Sequence, residues 1–392
     1  MIARRLFVGL IALLVATQLV RIAAVQVLAK TRPADAARVW KDHPDVELEA
    51  SLTAIATATR TRNPVSPGVF ESILDAAGKK PLAPEPYLVR GVQAQLSSNG
   101  VVAEQAFLAA ERRDPRSLPA RYFLAELYFR REDSTRGLAE IGALARLAPN
   151  GVQSLAPYVA AYAKDRSSWP YLKAMFHSEP KLEEATLATL ATDARNADTV
   201  LTLADRNRSG PSSAWLAPLL DSLGKAGQFA RARAIWASVG HVHFDRGVLV
   251  FDPDFTRSDA PPPFNWTLTS STVGLAERQR GAGLHVIFYG QEDGALASEL
   301  LVLRPGIYRL TTVAVGSPTN GDALLWAVTC VGGKEPLASI PLSAAVGRAW
   351  TFTIPADCPG QRLELFGSSS DIPKQSEAII RGISLVQEKP GA

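Results

Sequence analysis

The fold of this chain is decided by two consecutive stretches: PEPYLVRGVQAQLSSNGVVAEQAFLAAERRDPRS at residues 84–117 and LPARYFLAELYFRREDSTRGLAEIGALARLAP at residues 118–149. The first contains a pattern of small, bulky and proline residues at Gly91, Ala103, Phe107, Ala110 and Pro115. A shift of 34 residues brings the pattern back at Ala125, Gly137, Ile141, Leu144 and Pro149. Small residues let two helices approach, a bulky residue fills the gap, and proline ends the second helix. The repeat predicts two successive helix pairs.

A period of 34 with these positions resembles the tetratricopeptide repeat (TPR). The resemblance implies a solenoid of stacked helix pairs whose groove binds a partner protein. Five side chains on the first helices of the two pairs are the candidates for contacts in this groove: Tyr87, Arg90, Gln93, Arg121 and Tyr128. Helix packing explains the tyrosines equally well.

Helical periodicity extends from Pro33 to about Ser238. After the two clear pairs the pattern weakens, and residues 181–190 and 197–204 predict a shorter helical hairpin. The repeat pattern returns between Leu216 and Trp236, where Gly227 is placed to turn the chain between two helices. Several pairs are expected to stack, because one pair alone would leave an apolar face uncovered.

From His241 onward the apolar period changes to two, which is typical of strands. Val248–Phe251 is the first predicted strand, and about eight short strands with turn signals between them indicate an antiparallel sandwich. Trp266, Trp326 and Trp350 alternate with threonines, so we expect the tryptophans in the core. Ile287, Tyr289 and Phe366 fall on the opposite faces of their strands.

The only two cysteines, Cys330 and Cys358, both lie in this β-rich part. An even number of cysteines within one domain of an exported chain predicts a disulfide. Two independent buried thiols are the alternative.

The β-rich part resembles the jelly roll of galactose-binding-like carbohydrate-binding modules. The segments that carry this resemblance are FDPDF at 251–255, Trp266, LHVIF at 284–288, LRPGIYRL at 303–310 and ISLV at 383–386. Such modules stack sugar rings on exposed aromatic side chains. Tyr289 and the polar residues of the loop behind it, Gln291 and Glu292, are therefore the candidates for glycan contacts.

Two sets of residues could hold a metal. His241, His243 and Asp245 would share one face of a strand, and two imidazoles with a carboxylate can bind zinc or iron. Polar residues are also expected there without a metal, because this is the hinge between the two halves. Acidic residues at Asp252, Asp254 and Asp259 resemble a structural calcium site in some sugar modules, although acidic loops are common without one. We predict no metal and no cofactor.

Export is indicated by the N-terminus. Arg4 and Arg5 precede fifteen uncharged residues, Leu6–Val20, and after Arg21 the apolar run resumes to Ala29. Read to Val20, the segment is the apolar region of a signal peptide with a cleavage site at Val27–Ala29. Read to Ala29, it is a membrane helix of about 36 Å with Arg21 reaching the far interface. We favour an uncleaved anchor with the bulk of the chain in the periplasm.

The sequence thus predicts three parts: a membrane anchor at 1–32, a TPR-like domain at 33–240, and a carbohydrate-binding-module-like β-sandwich at 241–392. The net charge of +4 is dispersed along the chain, which argues against a nucleic-acid partner. Since catalytic motifs are missing from the sequence, we expect a non-catalytic protein. The resemblance to TPR membrane proteins of bacterial polysaccharide assembly implies an inner-membrane scaffold with a protein partner and a possible polysaccharide ligand. A periplasmic glycan-binding module on a helical spacer is the alternative.

Overall fold

The computed structural model describes residues 2–61, 64–242, 248–315 and 321–388. Helices come first and an antiparallel β-sandwich follows, which confirms the predicted fold class. The chain divides into two compact units. The first unit comprises Met1–Leu155 and Pro170–Glu179, and the second comprises Ala156–Trp169 and Pro180–Ala392.

The helices have these bounds: α1 Ile2–Thr31, α2 Pro33–Trp40, α3 Pro44–Thr61, α4 Pro67–Lys79, α5 Glu85–Leu96, α6 Gly100–Arg113, α7 Leu118–Arg130, α8 Ser134–Leu147, α9 Gly151–Tyr162, α10 Trp169–Ser178, α11 Pro180–Ala191, α12 Ala197–Leu203, α13 Leu216–Lys225, α14 Phe229–Val239 and α15 Leu342–Ala345. Among the described residues, one stretch, Gly9–Ala29 of α1, is long and apolar enough to cross a membrane. Its mean hydropathy is 2.0, and only 6% of it is buried.

The two predicted helix pairs are α5 with α6 and α7 with α8, and each pair packs together. Side chains cap the helix starts, because Asn99, Ser117 and Asp133 accept hydrogen bonds from backbone N–H groups in the first turns of α6, α7 and α8. Between the pairs, the ring of Phe107 stacks on that of Phe123 with the ring centroids 5.0 Å apart. This contact joins α6 to α7 through the buried Phe107 and the half-buried Phe123.

In the second unit, α11 and α12 form the predicted short hairpin. Helices α13 and α14 form the last pair, and Gly227 between them has the positive φ of 71° that favours glycine. Trp236 of α14 is fully buried, and its indole N–H donates a 2.7 Å hydrogen bond to the carbonyl of Pro261. Its ring also contacts Phe251 and Phe264. Trp236 therefore ties α14 to the loop that precedes the sandwich.

The strands have these bounds: β1 Thr267–Leu268, β2 Gly274–Gln279, β3 Gly283–Phe288, β4 Gly294–Leu301, β5 Gly306–Ala314, β6 Leu324–Cys330, β7 Pro336–Pro341, β8 Ala349–Ile354, β9 Gln361–Gly367 and β10 Ser376–Gln387. They form two five-stranded sheets with the orders β1-β4-β9-β6-β7 and β2-β3-β10-β5-β8. All strand pairs in the two sheets are antiparallel.

The core between the sheets holds the three tryptophans predicted for it. Trp266, Trp326 and Trp350 are 2%, 0% and 8% exposed. The disulfide is confirmed, since Cys330 at the end of β6 is bonded to Cys358 in the turn before β9. Its closed loop contains β7 and β8, so the bond restrains one side of the sandwich.

The prediction of a first strand at Val248–Phe251 is wrong. These residues form a loop, in which Val250 and Phe251 are buried. The backbone N–H of Phe251 donates to the carboxylate of Glu299 on β4 instead of to a neighbouring strand. The run of apolar residues therefore indicates a buried segment and not a strand. The backbone N–H of Phe251 has the side chain of Glu299 as its hydrogen-bond acceptor, in place of the carbonyl of a neighbouring strand.

Candidate binding surfaces

Tyr87, the first groove candidate, is engaged by Arg113 from the neighbouring helix α6. The guanidinium carbon of Arg113 lies 3.6 Å from the centroid of the Tyr87 ring. Arg113 also donates hydrogen bonds to the Tyr87 hydroxyl at 2.7 Å and to the carbonyl of Pro81 at 2.6 Å. The half-buried tyrosine therefore joins the start of α5 to the end of α6.

Arg121, the second candidate, is held between two carboxylates. Its guanidinium lies 3.0 Å from a carboxylate oxygen of Glu111 and 2.8 Å from one of Glu140. Its side chain is only 16% exposed. Burial and the neighbouring Glu111 raise the pKa of Glu140, and the charge of Arg121 opposes that rise. Arg121 thus connects the end of α6, α7 and α8.

Tyr128, the third candidate, is 3% exposed and packs with Phe107 and Leu124. The guanidinium of Arg136 lies 4.3 Å from its ring centroid. Burial raises the pKa of the Tyr128 hydroxyl. Tyr128 thus has the packing role that the sequence left open. Of the remaining candidates on α5, Arg90 is exposed and Gln93 is half-buried.

Two large apolar side chains that are exposed on these helices, Leu96 and Tyr122, are not among the candidates. On α7, positions 122, 126 and 130 follow one another at the four-residue spacing of a single helix face. The positions 34 residues earlier are 88, 92 and 96 on α5. We call these six residues the helix stripe: Leu88, Val92, Leu96, Tyr122, Glu126 and Arg130. Leu96 is 82% exposed and Tyr122 is 58% exposed, whereas Leu88 and Val92 are half-buried and pack against the core around Phe107.

Sequence reasoning missed the helix stripe, and the repeat period alone does not reveal it. The small residues Gly91 and Ala125 were expected to face the second helix of each pair. Tyr122 lies three residues before Ala125 and Tyr128 three residues after it, so each is rotated by about 60° from that contact, in opposite directions. Tyr128 is buried because it packs with Phe107 of the preceding helix pair, a contact that the period does not specify.

The glycan candidates lie on a loop that is held at several points. Tyr289 is 41% exposed, and its backbone N–H donates to the carbonyl of Val273. Gly290 has a positive φ of 76°, and a Cβ at this position would lie 2.4 Å from the carbonyl oxygen of Lys374. Only glycine fits this close approach.

Further along the same loop, Asp293 accepts hydrogen bonds from the backbone and hydroxyl of Ser369, at 2.6 and 2.7 Å. These bonds lower the pKa of the Asp293 carboxyl. Glu292 accepts a hydrogen bond from the hydroxyl of Thr272, and Gln291 is exposed. The structure therefore brings Tyr289, Gln291 and Glu292 together on an ordered loop between β3 and β4.

For the first metal hypothesis, His241 lies exposed just after α14 with a positive φ of 51°. His243 and Asp245 lie outside the described residues. Among the residues that the structure describes, no group of three or more His, Cys, Asp or Glu side chains could hold a metal ion.

For the calcium hypothesis, the carboxylate of Asp252 already has protein partners. It accepts backbone hydrogen bonds from Thr256 and Arg257, at 2.6 and 2.8 Å. Its other oxygen lies 3.1 Å from Nη2 of Arg278, which also donates to the side-chain oxygen of Asn265. Asp252 therefore fixes the loop ahead of the sandwich through an ion pair and backbone hydrogen bonds.

Beside this network lies Glu299, a carboxyl that is 2% exposed. Burial raises its pKa well above the ordinary value, and the N–H of Phe251 and the charge of Arg233 oppose that rise. Its Oε1 accepts the 2.7 Å bond from Phe251, whereas its Oε2 has no hydrogen-bond partner among the described residues. Glu299 is thus a buried acid in the wall of the sandwich.

An open groove of about 440 Å³ runs within the second unit between α13 and the outer face of β4. Its apolar lining includes Leu220, Phe229 and Leu300, and Arg362 and Lys225 also line it. Lys225 pairs with Asp221 at 2.6 Å, and Arg362 lies 4.0 Å from Glu364.

No protein-family model matches the sequence, and no curated protein matches it either. One of the matching solved structures is the carbohydrate-binding module TmCBM61 in complex with beta-1,4-galactotriose. The match covers 37% of this chain and 100% of that chain, at 13% sequence identity and a TM-score of 0.23. A TM-score this low assigns neither fold nor ligand to the chain.

Proposed function

We propose that this chain is a non-catalytic scaffold of the bacterial envelope, anchored by α1, which holds a protein partner on the helix stripe. The observation that carries the proposal is the exposure of two large apolar side chains of the helix stripe, Leu96 on α5 at 82% and Tyr122 on α7 at 58%. Apolar patches exposed on a surface are typical of protein interaction sites, and repeat proteins bind partners on such extended surfaces. The process that we propose for the scaffold is envelope glycan assembly, as the resemblance to TPR membrane proteins implies.

The envelope location is supported by two features. A disulfide, Cys330–Cys358, is typical of proteins in an oxidising compartment such as the periplasm. The stretch Gly9–Ala29 has the length and composition of a membrane span.

The scaffold is tested by affinity capture of the full-length protein from native membranes, with the captured proteins quantified. The wild type is expected to capture a specific set of proteins. We expect the double variant Leu96→Ser/Tyr122→Ser to capture at least tenfold less of each of them. The matched control is Tyr158→Ser, which removes a tyrosine that is 75% exposed outside the stripe. Equal capture by all three proteins would refute the scaffold on this surface.

A second candidate function, glycan binding by the sandwich, is favoured by the ordered loop that exposes Tyr289. An aromatic ring that is 41% exposed, with Gln291 and Glu292 beside it, offers a stacking surface and hydrogen-bonding groups to a sugar. Affinity electrophoresis in gels containing envelope polysaccharide tests it. We expect retardation of the wild type and of Tyr158→Ala, and none of Tyr289→Ala. Absence of retardation in all three proteins would refute glycan binding.

A further inference from the structure

We infer that the bilayer surface lies at Arg21 and Trp40, so that α1 spans the membrane only up to Val20 and continues into the first unit as a water-exposed helix. This inference rests on the proposed membrane anchorage. It differs from the sequence interpretation, in which the span runs to Ala29. Four observations within the first unit carry it.

The first observation is a change of burial along α1. Large apolar side chains between residues 10 and 20 are exposed around the whole helix, namely Leu10, Ile11, Leu13, Leu14, Val15, Leu19 and Val20, at 45–69%. A helix that is apolar all round is typical of a membrane span. Beyond Arg21 one face is buried, since Val25 is 0% and Ala29 is 2% exposed. The opposite face carries Ala23 and Val27, both exposed, and the exposed Gln26 lies beside the buried face.

The second observation is the cluster that buries this face. Val25 and Ala29 pack with Ala36 of α2 and Val46 of α3. Helix α2 also carries Asp35 and Arg38, which form an exposed ion pair at 3.1 Å. Because α2 packs on residues 25–29, placing these residues in the hydrocarbon of the bilayer would place the ion pair of α2 there too. Charged side chains at that depth are costly.

The third observation is the contact at Arg21 itself. Its Nε donates a 3.1 Å hydrogen bond to the carbonyl of Val39, and its guanidinium carbon lies 4.2 Å from the centroid of the Trp40 ring. Trp40 also meets the ring of His43 edge-on at 4.9 Å. Tryptophan and arginine are the side chains that mark the membrane–water interface. Arg21 is thus fixed to the end of α2 instead of extending toward Ala29.

The fourth observation is length. The uncharged run Leu6–Val20 contains 15 residues, which is about 22 Å of helix. From Arg4 to Arg21 the rise is about 25 Å, which is close to the roughly 30 Å of a hydrocarbon core. Because α1 is continuous through Arg21, the anchor enters the first unit without a flexible linker.

The inference is tested with single-cysteine variants in opened native membranes and a membrane-impermeant maleimide. The native cysteines are disulfide-bonded and leave the introduced thiol as the reactive group, with the wild type as the blank. We expect Val27→Cys, at a position that is 70% exposed, to label within twofold of Thr53→Cys on α3. We expect Leu14→Cys to label at least tenfold less, and all three variants to label equally in detergent.

Protection of both Leu14→Cys and Val27→Cys would overturn the inference, because the span would then reach Ala29. Labelling of both positions, or loss of the N-terminal segment from the mature protein, would overturn the membrane anchorage itself. The two failures are therefore distinguishable in one experiment.

Discussion

Gly91 and Phe107 are in such close contact that a Cβ at position 91 would lie 2.4 Å from Cε1 of the Phe107 ring. Gly91 lies on α5 and the fully buried Phe107 on α6, so this contact sets how closely the first helix pair packs. We expect Gly91→Ala to destabilise the first unit by about 1–3 kcal/mol, because the ring must leave its place in the core.

Denaturant unfolding of the first unit measures this cost. The matched control is Gly78→Ala near the end of α4, where a new Cβ meets nothing within 4 Å. Because alanine favours helix more than glycine does, the control should be neutral or stabilising. Equal stability of the two variants would contradict the packing described for α5 and α6.

Arg121→Gln tests whether this arginine is structural. The substitution removes the ion pairs to Glu111 and Glu140 and leaves two partly buried carboxylates facing each other. We expect a loss of about 1–3 kcal/mol in the free energy of unfolding, with partner capture unchanged. Arg90→Gln, at an exposed position of α5, is the control and should change stability by no more than about 0.5 kcal/mol. If Arg121→Gln lost partner capture while its stability was unchanged, Arg121 would be a residue that contacts the partner and not a structural one.

The disulfide should stabilise the sandwich measurably. Cys330 and Cys358 are 28 residues apart, and closing such a loop contributes about 3.5 kcal/mol in the chain-entropy description. We expect the double variant Cys330→Ser/Cys358→Ser to unfold at correspondingly lower denaturant, and reductant to bring the wild type to the same midpoint. Reductant added to the double variant is the control and should do nothing. A wild type that is indifferent to reductant would contradict the bond.

Glu299 should make the stability of the second unit depend on pH. Since burial raises its pKa in the folded state, the folded chain retains a proton that the unfolded chain releases. Its contribution is complete below the ordinary glutamate pKa and is lost as the pH rises through the folded pKa. We expect the stability of the wild type relative to Glu299→Gln to fall with rising pH, by up to about 1.4 kcal/mol per pH unit.

Urea unfolding at several values between pH 5 and pH 8 measures this difference. Glu335→Gln, in the exposed turn between β6 and β7, is the control for removing a charge. Parallel pH profiles for the wild type and Glu299→Gln would contradict a raised pKa at this site.

Much of the fold could be predicted from the sequence because its determinants are local and periodic. The shift of 34 residues located α5–α8, Gly227 located the turn between α13 and α14, and alternation placed Trp266, Trp326 and Trp350 in the core. The even pair of cysteines led to the disulfide. Each of these signals depends on residues close in sequence or on a rule about composition.

The site-level predictions were harder because they depend on partners that are distant in sequence. Tyr87 and Arg113 are 26 residues apart, and Arg121 meets Glu140 at a separation of 19 residues. The backbone N–H of Phe251 donates a hydrogen bond to Glu299, which is 48 residues away. This carboxylate takes the place of the strand partner that the apolar run predicted. Hydropathy along α1 likewise does not reveal that α2 folds back onto it at Arg21. Such pairings belong to the tertiary fold.

The measurement that tests the scaffold most directly is site-specific photo-crosslinking in living cells. A photoreactive phenylalanine analogue is placed at position 122 of the full-length protein, and at position 112, which is exposed on α6 away from the stripe. The scaffold predicts a discrete crosslinked adduct to one protein from position 122 and none from position 112. The same adducts from both positions, or none from position 122, would contradict partner binding on the helix stripe.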